Sequence, residues 1–338
     1  VSTELPALLI GSYTATGGGN ATGISAVAAG PVGSAPAQTV AVIDDPSFLA
    51  VTGDRLYAVS ETADGGVSAF RRDGTALEHL WDAPAGGDAP CHVRVDPSGV
   101  LVVTNYVSGT VTAIALAAPE SDAETAPTLV TEVLPDTSGP VEDRQEGPHA
   151  HQSVATPDGT VLVADLGGDA LHEFRVTDAP AIESVRVHHV APGVGPRHLA
   201  WHEGDLIVAG ELDGQVHRLR RDASGSFVTI ASTPTFDGEV GESLLSHIEV
   251  DDAGRVYVAV RGRDLVVVLD AADGGLRLVG SASSGGVWPR HFARVPGYLL
   301  VANQMSDAIA VLPIGADGVP GEAVAQIPVG TPACIVPV

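Results

Sequence analysis

Imidazoles, guanidiniums and carboxylates recur at fixed places along this chain, and together they could grip an anion and move a proton. Short apolar strands open at Pro46-Ser47-Phe48, Pro90-Cys91-His92, His149-Ala150-His151-Gln152, Pro196-Arg197-His198, Leu245-Ser246-His247, Pro289-Arg290-His291 and Pro332-Ala333-Cys334. Second apolar strands end at Tyr13, Glu61, Tyr106, Glu211, Arg261 and Gln304. An imidazole titrates near neutrality and suits general acid–base work. A guanidinium fork binds carboxylate or phosphate through paired hydrogen bonds. Seven of the 12 histidines lie in or just beyond the openings: His92, His149, His151, His198, His202, His247 and His291. Two readings apply to them. They bind a ligand, or they hydrogen-bond the backbone between neighbouring sheets. Arg197 and Arg290 either pair with Glu61 or Glu211 or await an anionic ligand.

The elements that position these groups follow from the repeat. Aligned on the apolar run after each opening, residues 48, 92, 152, 198, 247, 291 and 334 stand in register, at spacings of 44, 60, 46, 49, 44 and 43. A strand-rich repeat of this length signals a β-propeller. Second strands such as Leu101-Val102-Val103-Thr104-Asn105 are short, continuously apolar runs, which read as buried on both faces. Turns such as Asp96-Pro97-Ser98-Gly99 join first strand to second. A third strand and a more variable fourth complete each unit. The last opening supplies one strand only. Leu8-Leu9-Ile10-Gly11-Ser12-Tyr13 matches a second strand, and residues 23–28 match a third.

The chain is therefore expected to be all-β: a seven-bladed β-propeller of four-stranded blades, one domain over residues 1–338. Its last blade would be closed by the N- and C-terminal strands, leaving no unpaired edge. First and second strands run antiparallel, so the openings and the second-strand ends meet at one mouth of the central channel. Residues 117–147 form an insertion with eight acidic residues, expected as a solvated excursion from blade two.

Composition agrees. Hydrophobic residues make up 44% but aromatics only 4%, so the core is built from small and β-branched side chains. The 40 glycines and 24 prolines suit a chain with many turns. The net charge is -25, and every fixed cation is arginine. Such a chain repels nucleic acid and anionic membranes, and neither is expected as a partner. A cationic mouth inside an anionic body favours a small anionic substrate. No apolar run of membrane-spanning length and no basic-apolar leader is read, and Cys91 and Cys334 are expected as free packing residues in a reducing cytoplasm. His149-x-His151 could offer two zinc ligands on one strand face, but no third ligand is evident. Neither a metal nor another cofactor is expected.

Several segments together resemble the lactonase family of seven-bladed propellers. They are Gly11-Ser12-Tyr13-Thr14, Pro90-Cys91-His92 with Asn105-Tyr106-Val107-Ser108-Gly109, and Gly147-Pro148-His149-Ala150-His151-Gln152 with Asp165-Leu166-Gly167-Gly168-Asp169. Gly195-Pro196-Arg197-His198 with Glu211-Leu212, Pro289-Arg290 and Ala302-Asn303-Gln304 complete the set. The resemblance covers essentially the full chain. The family includes propeller-type 6-phosphogluconolactonase and carboxy-cis,cis-muconate cyclase.

The resemblance implies a catalytic set of a histidine (His149 or His151), Arg197, Glu211 and a second arginine (Arg290 or Arg261). The family often has Ser-Asn-Arg-Gly where this chain has Ala259-Val260-Arg261-Gly262. Substrate contacts are expected from His92, Tyr106, Gln152, His198, His247, Arg261, His291 and Gln304. The implied chemistry is hydrolysis of a sugar lactone, possibly phosphorylated. The histidine would act as base on water, the arginines would hold the anion and the oxyanion, and Glu211 would orient the base or protonate the leaving alkoxide. The alternative is the reverse sense, lactone formation from a carboxymuconate. A third reading is a non-enzymatic binding platform, which requires exposed apolar or aromatic patches. No Gly-x-Ser-x-Gly elbow occurs, so covalent serine catalysis is not expected. A monomer or weak homodimer is expected.

Overall fold

The structure, a computed structural model, describes residues 4–116 and 127–338. Its strands are apolar throughout because successive side chains point to opposite faces, and here both faces are covered. In the strand Val100–Asn105, Leu101 and Val103 pack against blade one, while Val100 and Val102 pack against blade three. Seven hydrophobic clusters of this kind are found among the described residues, one at each blade–blade interface.

Seven four-stranded antiparallel sheets form the ring. Blade one runs outward from Leu49–Thr52 through Arg55–Ser60 and Gly66–Asp73 to Ala76–Pro84. The inner strands of the next five blades are Pro90–Val95, Ala150–Ala155, Pro196–His202, Leu244–Val250 and Pro289–Val295. In the seventh blade the C-terminal strand Pro332–Pro337 is innermost and pairs with Leu8–Ser12, followed by Gly23–Val27 and Gln38–Val42. The closure expected from the repeat is present. Among the described residues no helix is long and apolar enough to cross a membrane.

The segment 117–147 departs from its expected form. Residues 117–126 lie outside the described residues. Leu129–Val133 is the fourth strand of blade two, paired with Thr110–Ala115. Residues 134–149 then form a strap leading to the inner strand of blade three. An outer strand is only half-buried, so its sequence lacks the apolar run that marks the inner strands.

The inner strands share a second regularity. In six blades their pairing with the second strand slips at the opening. The slips fall at Cys91, His151-Gln152, Arg197-His198, Ser246-His247, Arg290 and Ala333. A β-bulge sets an extra residue against the partner strand and re-aims its side chain. Neighbours that would otherwise face opposite sides can then both turn to the axis.

Below the openings, rings fill the channel. Phe48 lies 4.5 Å from His92, 5.7 Å from His291 and 6.2 Å from His198 between ring centroids. His247 stacks on His291 at 3.9 Å, and His198 Nδ1 is 2.9 Å from His247 Nδ1. Several of these groups also stitch blades together. Gln152 Oε1 accepts the Leu199 N–H at 2.6 Å, and His291 Nδ1 accepts the Ile335 N–H at 3.4 Å. Burial, with Arg94 adding to it, pulls His92 down to about 3. Burial and then nearby cationic groups hold His151, His198 and His291 well below the ordinary imidazole value.

Two predictions follow from this architecture. Deleting residues 332–338 removes the buried Ala333, Cys334 and Ile335 and leaves Leu8–Ser12 without its inner partner. The loss exceeds about 5 kcal/mol from apolar burial and unmade backbone bonds, comparable to a whole domain's stability. The truncated chain should lack a cooperative melt; melting at an unchanged temperature would refute closure as a requirement. The second concerns pH. Unfolded histidines titrate near 6.5, whereas the folded channel histidines titrate lower. The unfolded chain therefore binds more protons below pH 6.5, and stability falls as pH drops toward the folded values. Between pH 6.5 and 5.5 nearly all carboxylates stay ionised in both states, so this window reports imidazoles; at lower pH carboxylates such as Glu211, held at about 2 in the fold, add a loss of the same sign. The urea midpoint should fall steadily across the window, and a flat midpoint would contradict buried neutral histidines.

Candidate functional site

The openings build two layers. His92, Gln152, His198, His247 and His291 form the lower one, beneath the pocket wall. Of these, His198 and His291 border a void of about 10 Å³, room for one water at most. The five therefore do not supply the expected wall of substrate contacts. The residues one place earlier do: Cys91, His151, Arg197 and Arg290 line a pocket of about 320 Å³ at the mouth. Second-strand ends Tyr13, Glu61, Tyr106, Glu211 and Arg261 complete its wall, together with Arg144. His149 and Gln304, also expected at the site, are absent from that wall.

His149 and His151 part company. The His149 ring stacks on Tyr106 at 4.4 Å, its Nδ1 is 2.9 Å from the Tyr106 carbonyl oxygen, and its Nε2 is 3.3 Å from Glu146. His151 is edge-on to the same tyrosine at 5.8 Å and lies within the pocket. The Cys91 sulfur is 3.9 Å from His151 Nδ1. Burial, with Glu61 nearby, pushes the Cys91 thiol up to about 12, so it stays protonated at neutral pH. Both cysteines are free and buried.

Glu211 is the hub. Its carboxylate is 2% exposed and meets three guanidiniums: Arg144 Nη2 at 2.5 Å, Arg197 Nε at 2.8 Å and Arg261 Nη2 at 2.9 Å. Burial opposes its ionisation, but Arg261, Arg197 and Arg144 outweigh burial and hold it at about 2. A carboxylate held this firmly ionised does not protonate a leaving alkoxide. Its position suits it to fixing the arginines.

Arg197 is 3% exposed, and burial together with Arg261 draws it down to about 9, still charged at neutral pH. Its Nε is close to Glu211 but out of line for a hydrogen bond, and its Nη1 has no hydrogen-bond partner among the described residues. The opposite wall is looser. Tyr13 donates its hydroxyl to Glu61 at 2.6 Å, and Arg290 sits 4.9 Å over the Tyr13 ring and 3.7 Å from Glu61. Four arginines against two glutamates leave the pocket with a cationic excess.

Sequence reasoning missed Arg144. A signal was present: it is the sole basic residue of the acidic segment 117–147, three places before Gly147-Pro148-His149. The strap brings it back to the mouth beside Tyr106, whose hydroxyl is 3.4 Å away.

Comparison with known proteins agrees with this architecture. The family model described as lactonase, 7-bladed beta-propeller, matches residues 7–337. A 6-phosphogluconolactonase of Bacillus subtilis (strain 168) is 35% identical over 284 residues, covering 79% of each chain. A 6-phosphogluconolactonase of Formosa agariphila is 30% identical over 304 residues, covering 82% of this chain and 84% of its own. The solved structure of a periplasmic gluconolactonase from Pseudomonas aeruginosa superposes with a TM-score of 0.87 at 26% identity, covering 98% of both chains. The chain belongs to the lactonase family of seven-bladed β-propellers.

Proposed function

We propose that the pocket hydrolyses a sugar lactone, with a phosphorylated gluconolactone as the preferred class. The observation that carries this reading is Arg197: a buried guanidinium with an unpartnered Nη1, in the wall of a pocket that the neutral imidazole of His151 also lines. A buried donor left unpaired is costly, and a ligand oxygen satisfies it. The relatives described as 6-phosphogluconolactonases support the substrate class.

In this reading the lactone carbonyl oxygen lies against Arg197. Neutral His151 accepts a proton from water as the water oxygen bonds to the carbonyl carbon. Arg197, with Arg261 behind it, stabilises the oxyanion. The ring C–O bond then breaks, and the His151 proton passes to the departing alkoxide. Glu211 positions the arginines, and Arg290 balances the anionic substrate from the Glu61 wall. A bound anion offsets the arginine field that depresses His151 and so makes it a stronger base. The pocket contains the cations that lactone formation from a carboxymuconate also needs, and no specific contact favours that direction. Among the described residues, the large hydrophobic side chains exposed at the surface include no aromatic ring, which weighs against a binding platform.

The purified protein should hydrolyse 6-phosphogluconolactone above its spontaneous rate, with release of acid as the readout. Turnover of neither this lactone nor a carboxymuconate by folded protein would remove the enzymatic reading. Arg197→Gln should lower kcat/KM by about a hundredfold or more, the scale for loss of an oxyanion donor.

The pH profile carries its own sign. The base works when deprotonated, and its pKa is depressed by burial and by Arg197 and Arg290. The acid limb of kcat/KM should therefore lie below pH 6.5. Arg290→Gln removes one depressing charge and should move that limb to higher pH. A limb that stays put in this variant would exclude His151 as the titrating base.

A further inference from the structure

Resting on the lactonase reading, we propose that Arg144 recognises the remote anion of the substrate, a phosphate ester at the end away from the lactone carbonyl. The strap of residues 134–149 holds its guanidinium at the rim for that purpose. Arg144 differs from the other pocket arginines in origin and in depth. Arg197, Arg261 and Arg290 come from blade strands. Arg144 comes from the strap, and its side chain is 32% exposed, against 19% for Arg290, 7% for Arg261 and 3% for Arg197. It is therefore the most exposed of the four, at the side of the pocket open to the far end of a substrate anchored on Arg197.

The guanidinium has capacity to spare. Its contacts to Glu211 and to the Tyr106 hydroxyl are both made through Nη2. A guanidinium carries five N–H donors, so a phosphate can be bound without releasing Glu211. Glu211 thus ties this arginine to the two most buried arginines of the wall.

The strap is built to fix that side chain. Gln145, the next residue, is buried; its Nε2 donates to the Leu166 carbonyl at 2.9 Å, and its Oε1 accepts the Val141 N–H at 3.2 Å. The Gly139 N–H donates to the Gln145 carbonyl at 3.0 Å. A Cβ at position 139 would come within 2.3 Å of Gln145 Oε1, so only glycine allows this close approach. An incidental surface ion pair would not need its neighbour buried and hydrogen-bonded on both ends. A preordered guanidinium loses less entropy when it binds.

The test compares 6-phosphogluconolactone with unphosphorylated gluconolactone in kinetics, and 6-phosphogluconate with gluconate in calorimetry. Arg144→Gln should raise KM for the phosphorylated lactone about ten- to a hundredfold, with a clearly smaller effect on the unphosphorylated one. Arg144→Lys should recover part of the loss, and Gln145→Ala, which frees the strap, should show the same selectivity loss in weaker form. Circular dichroism and melting confirm that each variant is folded. Equal losses on both lactones, or no loss on either, would overturn the proposal. If the wild type hydrolyses neither lactone but binds 6-phosphogluconate over gluconate in an Arg144-dependent way, the anion site stands and the lactonase reading falls. If it neither hydrolyses nor binds, both fall.

Discussion

A single buried carboxylate holds this pocket together. Burying guanidiniums is expensive, and without Glu211 the three that meet it would repel one another in a medium poorer than water at screening charge. One carboxylate does not neutralise three cations. Burial draws Arg197 and Arg261 below the usual arginine range, and the neighbouring guanidiniums add to that shift while Glu211 opposes it. The residual positive charge is functional capital in a chain whose net charge is -25. It creates a local positive field facing solvent through one opening, and a compact anion is the species such a field concentrates.

The backbone device behind this arrangement is the bulge at the start of six of the seven inner strands. A regular strand would offer one side chain per two residues to the axis. The slip at the openings offers two successive ones, so Arg197 sits in the pocket wall while His198 joins the ring layer beneath it. The same division separates His151 from Gln152 and Arg290 from His291. Reactive groups and packing groups are thus adjacent in sequence yet distinct in role.

The ring layer gives the pocket a firm floor. Its imidazoles pack as aromatic rings, and two of them, His92 and His291, accept backbone N–H groups from the next blade, which a charged imidazole could not do. For His92 and His291, neutrality and inter-blade stitching are therefore one property. It ties the geometry of the mouth to the closure of the whole ring.

Much of this was legible in the primary structure. The blade count, the pairing of the two termini and the identity of one mouth all follow from where polar residues interrupt apolar runs, because strand alternation and antiparallel pairing leave no other arrangement. Tyr106, His151, Arg197, Glu211, Arg261 and Arg290 were placed at that mouth on this basis. Depth was not legible. Whether an opening residue reaches the pocket or the floor depends on a one-residue slip, and apolar periodicity does not encode bulges. Nor was Arg144: its strand neighbour Leu129–Val133 is half-buried and weakly patterned, and the strap's course is set by hydrogen bonds from Gln145 to distant backbone. Local pattern determined the array and its mouth; long-range hydrogen bonding and ion pairing, which no spacing reveals, decided which charges meet there.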